Sequence, residues 1–206
     1  PWDHAAFIEP LACAIHGQKR INVEVGETVL ILGAGPMGIA HAALSRGRGA
    51  GKVLMSEPNA KRRAKAHDIG SDMEFDPTTP EGLELIMEAT EGRGADVVIE
   101  AVGSKDTYGQ AFDLVRRGGR ILAYGAAPEN AVVPMKPFEI YSKELTIVGS
   151  YAGTYETWPA AISLISSGRF DPSKIVDSVR PLSEVGEALE SLDNDKSIVK
   201  VQVKMT

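Results

Sequence analysis

Residues 28–40 read TVLILGAGPMGIA, and this stretch decides the fold of the chain. Its first part, Thr28 to Leu32, is a short apolar run of β-branched and bulky residues, which is typical of a buried strand. Gly33, Gly35 and Gly38 follow with the spacing G-x-G-x-x-G, and a helical pattern of small residues begins directly afterwards. The stretch therefore predicts a strand, a tight turn and a helix.

Each of the three glycines has its own physical role in such a turn. Gly33 permits the tight bend, Gly35 has no side chain to obstruct a pyrophosphate, and Gly38 allows the helix to lie close to the strand. The free amide groups and the positive end of the helix would face the phosphates. The motif thus predicts a dinucleotide site that also includes Pro36 and Met37. The alternative is an ordinary glycine-rich turn that binds nothing.

An acidic residue after the second apolar run supports the dinucleotide interpretation. Residues 52–56 read KVLMS, and Glu57 follows them, 19 residues after Gly38. An acid in this position accepts hydrogen bonds from the adenosine ribose hydroxyls. Because its charge repels a 2′-phosphate, we expect NAD(H) to bind in preference to NADP(H). The alternative is a solvated acid at a strand end. Arg62 is expected to cover the adenine or to pair with Glu57, although alone it is indistinguishable from a surface arginine.

The composition narrows the class of protein. A hydrophobic content of 43% and a charged content of 24% are those of a globular chain with a packed core. The net charge of −6 argues against a nucleic-acid surface, and no apolar run is long enough to cross a bilayer. Cys13 is the single cysteine, which excludes an internal disulfide and fits a reducing compartment. We therefore expect a cytoplasmic protein without nucleic-acid or membrane partners.

Strand-like and helical patterns alternate from residue 28 onward. The predicted strands are Thr28–Leu32, Lys52–Ser56, Asp72–Phe75, Asp96–Glu100, Arg120–Tyr124 and Leu145–Val148. The predicted helices are Met37–Arg46, Asn59–Ile69, Glu81–Ala89, Ser104–Arg117 and Pro137–Ser142. Six strands joined by helical crossovers predict an α/β fold, namely a doubly wound, parallel Rossmann sheet in the order 3-2-1-4-5-6 with flanking helices. A ligand would lie across the carboxyl ends of strands 1 and 4.

The two ends of the chain are predicted to lie outside this sheet. Residues 1–20 are assigned to an N-terminal helix and linker, 21–153 to the NAD-binding domain, and 154–206 to a C-terminal α/β return segment. In the first part, Asp3 is predicted to cap a helix over His4–Gly17, in which Pro10 would either cause a kink or divide the helix into two short pieces. A short strand is expected at Ile21–Val25. In the last part, we predict helices over Tyr155–Ser167 and Glu184–Leu192 and strands over Lys174–Val179 and Ser197–Lys204.

Mostly small residues lie at or directly after the ends of the later strands, at the edge where a ligand is expected. These candidates are Ala101, Val102 and Gly103 after strand 4, Tyr124 and Gly125 at the end of strand 5, and Gly149, Ser150 and Tyr151 after strand 6. We expect them to let the chain approach the nicotinamide end of the cofactor. The alternative is that they form ordinary turns at strand ends.

Possible catalytic and metal-binding residues are few. Glu9, Cys13 and His16 fall on one helical face, as a metal site would require. The simpler interpretation is that Cys13 packs in the core and His16 forms local hydrogen bonds. No nucleophile triad, Walker motif or paired-cysteine motif is present in the sequence. We therefore assign no catalytic residue within the chain.

Residues 5–17, AAFIEPLACAIHG, followed by GAGPMG, resemble the medium-chain, zinc-dependent alcohol and polyol dehydrogenases. Further matching stretches are ADVV at 95–98, EAVG at 100–103, RGGR at 117–120, LTIVGS at 145–150, PLSEV at 181–185 and EAL at 187–189. The similarity covers nearly the whole chain, and Glu9-Pro10-Leu11 is most similar to the sorbitol and threonine dehydrogenase branch.

The resemblance implies a cofactor-binding half cut from a longer enzyme. In that family Glu9 would lie at the catalytic zinc, as a ligand or through water, and the other ligands would belong to an N-terminal catalytic domain. The enzyme would transfer hydride between a secondary alcohol or polyol and NAD⁺, and this piece alone would be inactive. The strand Leu145–Ser150 would pair with the same strand of a second copy in a homo-oligomer. The alternatives are a stand-alone NAD-binding or dimerising module and a zinc-free, NADP-dependent quinone reductase, against which Glu9-Pro10-Leu11 and Glu57 argue.

Overall fold

The computed structural model describes residues 2–205. Its N-terminal and central helices are α1 Trp2–Ala5, α2 Ile8–Ile21, α3 Pro36–Gly47, α4 Ala60–Ile69, α5 Pro80–Ala89, α6 Lys105–Leu114 and α7 Pro137–Lys143. The strands among them are β1 Thr28–Leu32, β2 Lys52–Ser56, β3 Met73–Phe75, β4 Ala95–Glu100, β5 Val115–Ala123 and β6 Thr146–Gly149. The C-terminal elements are α8 Trp158–Ser166, β7 Ser178–Pro181, α9 Val185–Asn194 and β8 Val201–Lys204.

The six strands β1 to β6 form one parallel sheet in the order β3-β2-β1-β4-β5-β6, as predicted. Val29 in β1 is opposite Val53 in β2 on one side and Val97 in β4 on the other. The chain changes winding direction between β1 and β4, so their crossover connections leave on opposite faces of the sheet. A crevice therefore opens at the carboxyl ends of these two strands.

Two apolar cores lie on the two faces of the sheet because successive side chains of a strand point in opposite directions. In β1, Val29 and Ile31 join the core built with α2, α3 and α8, whereas Leu30 and Leu32 join the core built with α5 and α6. All four side chains are fully buried. The continuous apolar run of β1 is thus explained by a strand that is covered on both faces.

The junction between β1 and α3 is closely packed. Gly33 has a φ of +100°, a conformation that favours glycine, and its amide donates to the carbonyl oxygen of Ser56 over 2.7 Å. A Cβ atom at Gly38 would overlap the carbonyl oxygen of Gly33. Both glycines are therefore required by the backbone itself.

The N-terminal predictions need correction. The helical region is interrupted at residues 6–7, before Pro10, because proline is tolerated in the first turn of α2. Asp3 lies within α1 and is not its cap. No strand forms at Ile21–Val25, because α2 continues to Ile21 and ends at Asn22, whose φ is +53°.

Later predictions also differ from the structure, as at Ser197–Lys204, where the strand begins only at Val201. The helix predicted over Ser104–Arg117 ends at Leu114, and β5 begins at Val115, where Arg116 bonds to Asp96 of β4 over 2.5 Å. This cross-strand ion pair favours the extended conformation of the segment. The strand predicted over Lys174–Val179 begins at Ser178, since the preceding residues 172–174 form a 3₁₀ turn capped by Asp171.

The C-terminal segment carries a small parallel sheet, β7 with β8, and is fastened to α4 by polar contacts. Lys65 Nζ donates to Asp177 Oδ1 over 2.6 Å, and Arg62 Nη2 donates to the carbonyl oxygen of Ile198 over 2.8 Å. The Phe7 and Phe170 rings also pack against each other in a tilted arrangement, with their centroids 5.5 Å apart. No helix within residues 2–205 combines the length and the apolar character that a membrane crossing needs.

The contact at Gly38 gives a direct test of this packing. Replacing Gly38 by Ala forces α3 away from β1, and we expect the free energy of unfolding to fall by about 1–3 kcal/mol in urea titration. Gly47 in the same helix is the matched control, because a Cβ atom there meets no neighbour within 4 Å. Gly47→Ala should leave stability unchanged or raise it, and equal stability of the two variants would contradict the proposed packing.

Candidate functional site

A cavity of about 770 Å³ lies at the carboxyl ends of β1, β2 and β4, where the fold leaves its crevice. Six of the residues predicted to bind a cofactor line it, namely Gly33, Gly35, Glu57, Arg62, Ala101 and Val102. Its wall also includes Thr107 and Gln110 of α6 and Lys196 of the C-terminal segment, which sequence analysis did not select. The cavity therefore unites the glycine turn, the acid after β2 and the turn after β4.

The glycine turn presents open backbone to this cavity. Gly35 caps α3 without any side-chain hydrogen bond, and a Cβ atom at Gly35 would meet nothing within 4 Å. Pro36 occupies the first turn of α3, where its missing amide costs no hydrogen bond. Met37 follows and packs partly against the core. The first-turn amides, which have no partner within a helix, and the positive helix end are available to an anion.

Glu57 joins the glycine turn to the end of β2. Its side chain is 5% exposed, Oε2 accepts from the Ala34 amide over 2.9 Å, and Oε1 accepts from the Asn59 amide over 2.9 Å. Each carboxylate oxygen can accept a further hydrogen bond, so both retain capacity for hydroxyl donors in the cavity. The side chain is thus held in place before any ligand arrives.

Arg62 does not form the ion pair with Glu57 that was one of its two expected roles. Its Nη2 donates to the Ile198 carbonyl oxygen, while its buried Nε has no partner among residues 2–205. Asn59 caps α4 by accepting from the amides of Lys61 and Arg62 over 3.0 and 3.2 Å. Arg62 therefore stands between the cavity and the C-terminal segment.

Glu100, which sequence analysis did not select, holds the turn after β4 at the edge of the cavity. It is fully buried at the end of β4, and its Oε1 accepts from the amides of Val102 and Gly103 and from the Thr107 hydroxyl over 2.8–2.9 Å. Its Oε2 has no hydrogen-bond partner in the described part of the chain. The signal was an acid directly after the apolar run Val97–Ile99, a position where a buried carboxylate needs hydrogen-bond partners.

The turns after β4 and β5 approach each other closely. Gly103 has a φ of +84°, and a Cβ atom at Gly125 would lie 2.5 Å from Glu100 Oε2. The Tyr108 hydroxyl donates to the Gly125 carbonyl oxygen over 2.7 Å. Burial, with the nearby charge of Glu100, raises the pKa of Tyr108, so the hydroxyl stays protonated as a donor. The glycines predicted after these strands therefore close the sheet edge around Glu100.

The residues after β6 lie in a second depression of about 460 Å³, lined by His16, Arg20, Ala123, Gly149, Ser150 and Tyr151. Arg20 Nε donates to the Gly149 carbonyl oxygen over 2.5 Å. The buried Ser150 hydroxyl has no partner within residues 2–205, and Tyr151 is 95% exposed. The predicted cofactor residues thus fall into two groups, one around Gly33 and one beside α2.

Glu9 and Cys13 are adjacent, but the described residues do not form a metal site. Cys13 Sγ donates to Glu9 Oε1 over 3.1 Å, and burial followed by the Glu9 carboxylate raises the pKa of Cys13 to about 11. His16 belongs to the depression beside Gly149. No cluster of three metal-ligating side chains occurs within residues 2–205.

Comparison with known proteins relates this geometry to a family. The zinc-binding dehydrogenase profile matches residues 36–167, from the start of α3 to just beyond α8. An erythritol/L-threitol dehydrogenase from Mycolicibacterium smegmatis is 32% identical over 98% of this chain and 56% of its own length. A sorbitol dehydrogenase from Halalkalibacterium halodurans is 30% identical over 94% of this chain and 57% of its own length.

A solved structure agrees with these sequence matches. A protein from Sinorhizobium meliloti 1021, described as a zinc-binding dehydrogenase and bound to NADP, is 30% identical and has a TM-score of 0.86. The superposition covers 97% of this chain and 58% of that one. The chain therefore spans little more than half the length of the proteins it matches.

Glu100 can be tested through the stability of the turn that it holds. Glu100→Ala leaves two backbone amides and a hydroxyl without their acceptor, and we expect a loss of at least about 2 kcal/mol in the free energy of unfolding. Glu100→Gln keeps one side-chain oxygen for these donors and should lose about 1 kcal/mol or less. Urea denaturation measures both variants, and an equal loss in both would rule out the hydrogen-bonding role.

Proposed function

Because this chain belongs to the zinc-binding dehydrogenase family, we propose that it is the NAD(H)-binding part of a longer alcohol or polyol dehydrogenase. The main support is the unobstructed glycine turn at the N-terminus of α3, which faces the cavity at the carboxyl ends of β1 and β4. The erythritol/L-threitol and sorbitol dehydrogenases that the chain resembles support a small polyhydroxylated or secondary alcohol as the substrate class.

The cavity and the second depression suggest how the coenzyme would lie. The pyrophosphate would rest on the turn from Gly33 to Gly38, including Pro36 and Met37, and the adenosine ribose would bond to Glu57 beside Arg62. The nicotinamide half would extend along the ends of β4, β5 and β6. We propose that it is surrounded there by Ala101, Val102, Gly103, Tyr124, Gly125, Gly149, Ser150 and Tyr151.

We propose a preference for NAD(H) over NADP(H). The Glu57 carboxylate is fixed by two backbone amides and cannot turn away from a 2′-phosphate without breaking those bonds. Its negative charge would therefore oppose the phosphate directly. The Sinorhizobium protein is bound to NADP, which makes the choice between the two coenzymes the property to measure.

The zinc chemistry of the family would need groups beyond those described here. Glu9 remains a proposed zinc ligand, but its carboxylate bonds to Cys13 and residues 2–205 supply no complete ligand set. Bound NAD⁺ would accept a hydride from the carbinol carbon of the substrate. The contribution of this chain would be to bind and orient the coenzyme, so we expect the 206-residue chain to bind NAD(H) without measurable turnover.

A homo-oligomer is proposed through the edge strand β6. An edge strand has unpaired backbone groups that a second copy can use, and Leu145–Ser150 is largely apolar. Ile147 is 42% exposed, and the adjoining helix α7 exposes Phe138 by 73% and Tyr141 by 78%. A two-fold arrangement would place β6 against its own copy and shield these side chains.

Coenzyme titration tests the proposed site. We expect Glu57→Ala to weaken NAD⁺ binding about ten- to a hundred-fold, because a hydrogen bond to a charged group is lost. Glu57→Gln is the matched variant, since it keeps an acceptor but loses the charge. It should reduce the difference in binding affinity between NAD⁺ and NADP⁺. Calorimetry of the 206-residue chain with both coenzymes measures these effects.

Gly35→Ala provides the control that separates binding from folding. Its Cβ atom would enter the open cavity without meeting protein atoms, so the melting temperature should be unchanged while NAD⁺ binding is lost. Unaltered NAD⁺ affinity in both Gly35→Ala and Glu57→Ala would reject the coenzyme site.

A charged substitution in the edge strand β6 tests the proposed interface between two copies of the chain. Ile147→Lys places an ammonium group in the proposed interface, and we expect it to convert a dimer to a monomer in size-exclusion chromatography with light scattering. Leu85→Lys on α5 is the control, because Leu85 is 43% exposed and α5 contacts β3, the strand at the opposite edge of the sheet from β6. A monomeric unmutated chain, or equal effects of the two lysines, would contradict this interface.

A further inference from the structure

A buried polar cluster connects α2 to α3 and has no part in the coenzyme contacts proposed above. Its members are Gln18, His41 and Ser45, which are 1%, 0% and 0% exposed. Gln18 Nε2 lies 3.2 Å from His41 Nδ1 and donates to the Ser45 hydroxyl over 2.9 Å. The His41 carbonyl oxygen, 3.4 Å from the same nitrogen, supports this orientation of the amide. We call this group the Gln18–His41 cluster.

The protonation state of His41 follows from its contacts. Burial lowers the pKa of His41 to about 3, so the ring is neutral at neutral pH. Because Gln18 Nε2 is a donor, His41 Nδ1 must accept, and the ring proton lies on Nε2. His41 Nε2 and Gln18 Oε1 have no hydrogen-bond partner among the described residues. Burying two polar atoms without partners costs free energy.

The His41 ring contacts Tyr124. The ring centroids are 4.4 Å apart and the planes meet at 85°, so the edge of one ring packs on the face of the other, which is an attractive arrangement. Gly17 of α2 closes the contact, because a Cβ atom there would lie 3.0 Å from His41 Cε1 and 3.1 Å from Tyr124 Cδ2. The backbone of α2 and the His41 ring together hold the Tyr124 ring from two sides.

Tyr124 lies between the two groups of proposed coenzyme residues. It follows Ala123, which lines the depression with Ser150, and its amide donates to the Glu100 carbonyl oxygen over 3.2 Å. Burial, followed by the proximity of Cys13 and Glu9, raises the pKa of Tyr124. The hydroxyl therefore stays protonated at neutral pH.

We propose that His41, held by Gln18, is a positioning residue that fixes the Tyr124 ring as a wall of the nicotinamide pocket. The proposal rests on the coenzyme site of the preceding subsection. If the ring of Tyr124 were free to leave this position, only a fraction of the molecules would be competent to bind the nicotinamide, and the apparent affinity would fall by that fraction.

Two ligands separate this role from a general structural one. NADH occupies the whole site, whereas ADP-ribose lacks the nicotinamide. We expect His41→Ala to weaken NADH binding about three- to tenfold while leaving ADP-ribose binding unchanged, since the lost aromatic contact acts only at the nicotinamide end. His41→Phe keeps a ring against Tyr124 and should recover most of the NADH affinity. Calorimetry with the 206-residue chain gives both dissociation constants.

A double-mutant cycle identifies Tyr124 as the intermediary. In the Tyr124→Ala background, His41→Ala should cause no further loss of NADH affinity, because the contact that it removes is already absent. Should His41→Ala fail to fold, Gln18→Met replaces it in the cycle. This variant keeps the length of the side chain but loses the donor to His41 Nδ1, and it should show the same selective loss.

Three results would overturn the inference: equal weakening of NADH and ADP-ribose, unchanged NADH affinity, or an undiminished effect of His41→Ala in the Tyr124→Ala background. If the unmutated chain binds ADP-ribose but His41→Ala leaves NADH unaffected, only the role of His41 fails. If the unmutated chain binds neither ligand, the proposed coenzyme site fails as well.

Discussion

The close approach of α3 to β1 is the constraint on which the rest of the site depends. It is possible because residue 38 is a glycine, since a Cβ atom at this position would overlap the carbonyl oxygen of Gly33. With the helix in this position its N-terminus opens at the carboxyl edge of the sheet, and the Ala34 amide comes within reach of Glu57, which follows β2. One backbone contact thus aligns the glycine turn with Glu57, the acid that would accept hydrogen bonds from the ribose hydroxyls.

Much of the fold could be predicted from the chain because its signals are local. The alternation of apolar runs and helical patterns predicts the strand order, and the apolar run of β1 reflects burial on both faces. The cluster of Gly33, Gly35 and Glu57 also follows from spacing, since parallel strands bring their carboxyl ends to one edge. Errors occur where a distant partner decides, as at Val115, where the Arg116–Asp96 pair favours a strand.

The rest of the site depends on contacts between residues far apart in sequence, which no local pattern reveals. Arg62 bonds to a carbonyl 136 residues away, and Gln18 meets His41 across 23 residues. Glu100 was visible in the sequence, yet its role is apparent only when the turns after β4 and β5 close around it. Whether a polar side chain is removed from water depends on the folded structure. The sequence therefore shows that an acid ends the strand, but it does not show that the acid is buried or which groups it bonds to.

The state of the single thiol has a practical consequence. Cys13 donates to Glu9, and with a pKa near 11 it is almost entirely protonated at neutral pH. Since the thiolate is the reactive form, maleimide and disulfide reagents should react with it slowly. A cysteine introduced at an exposed position would then be labelled selectively. Fluorescence and spin-label measurements of domain motion could therefore be made without first replacing Cys13.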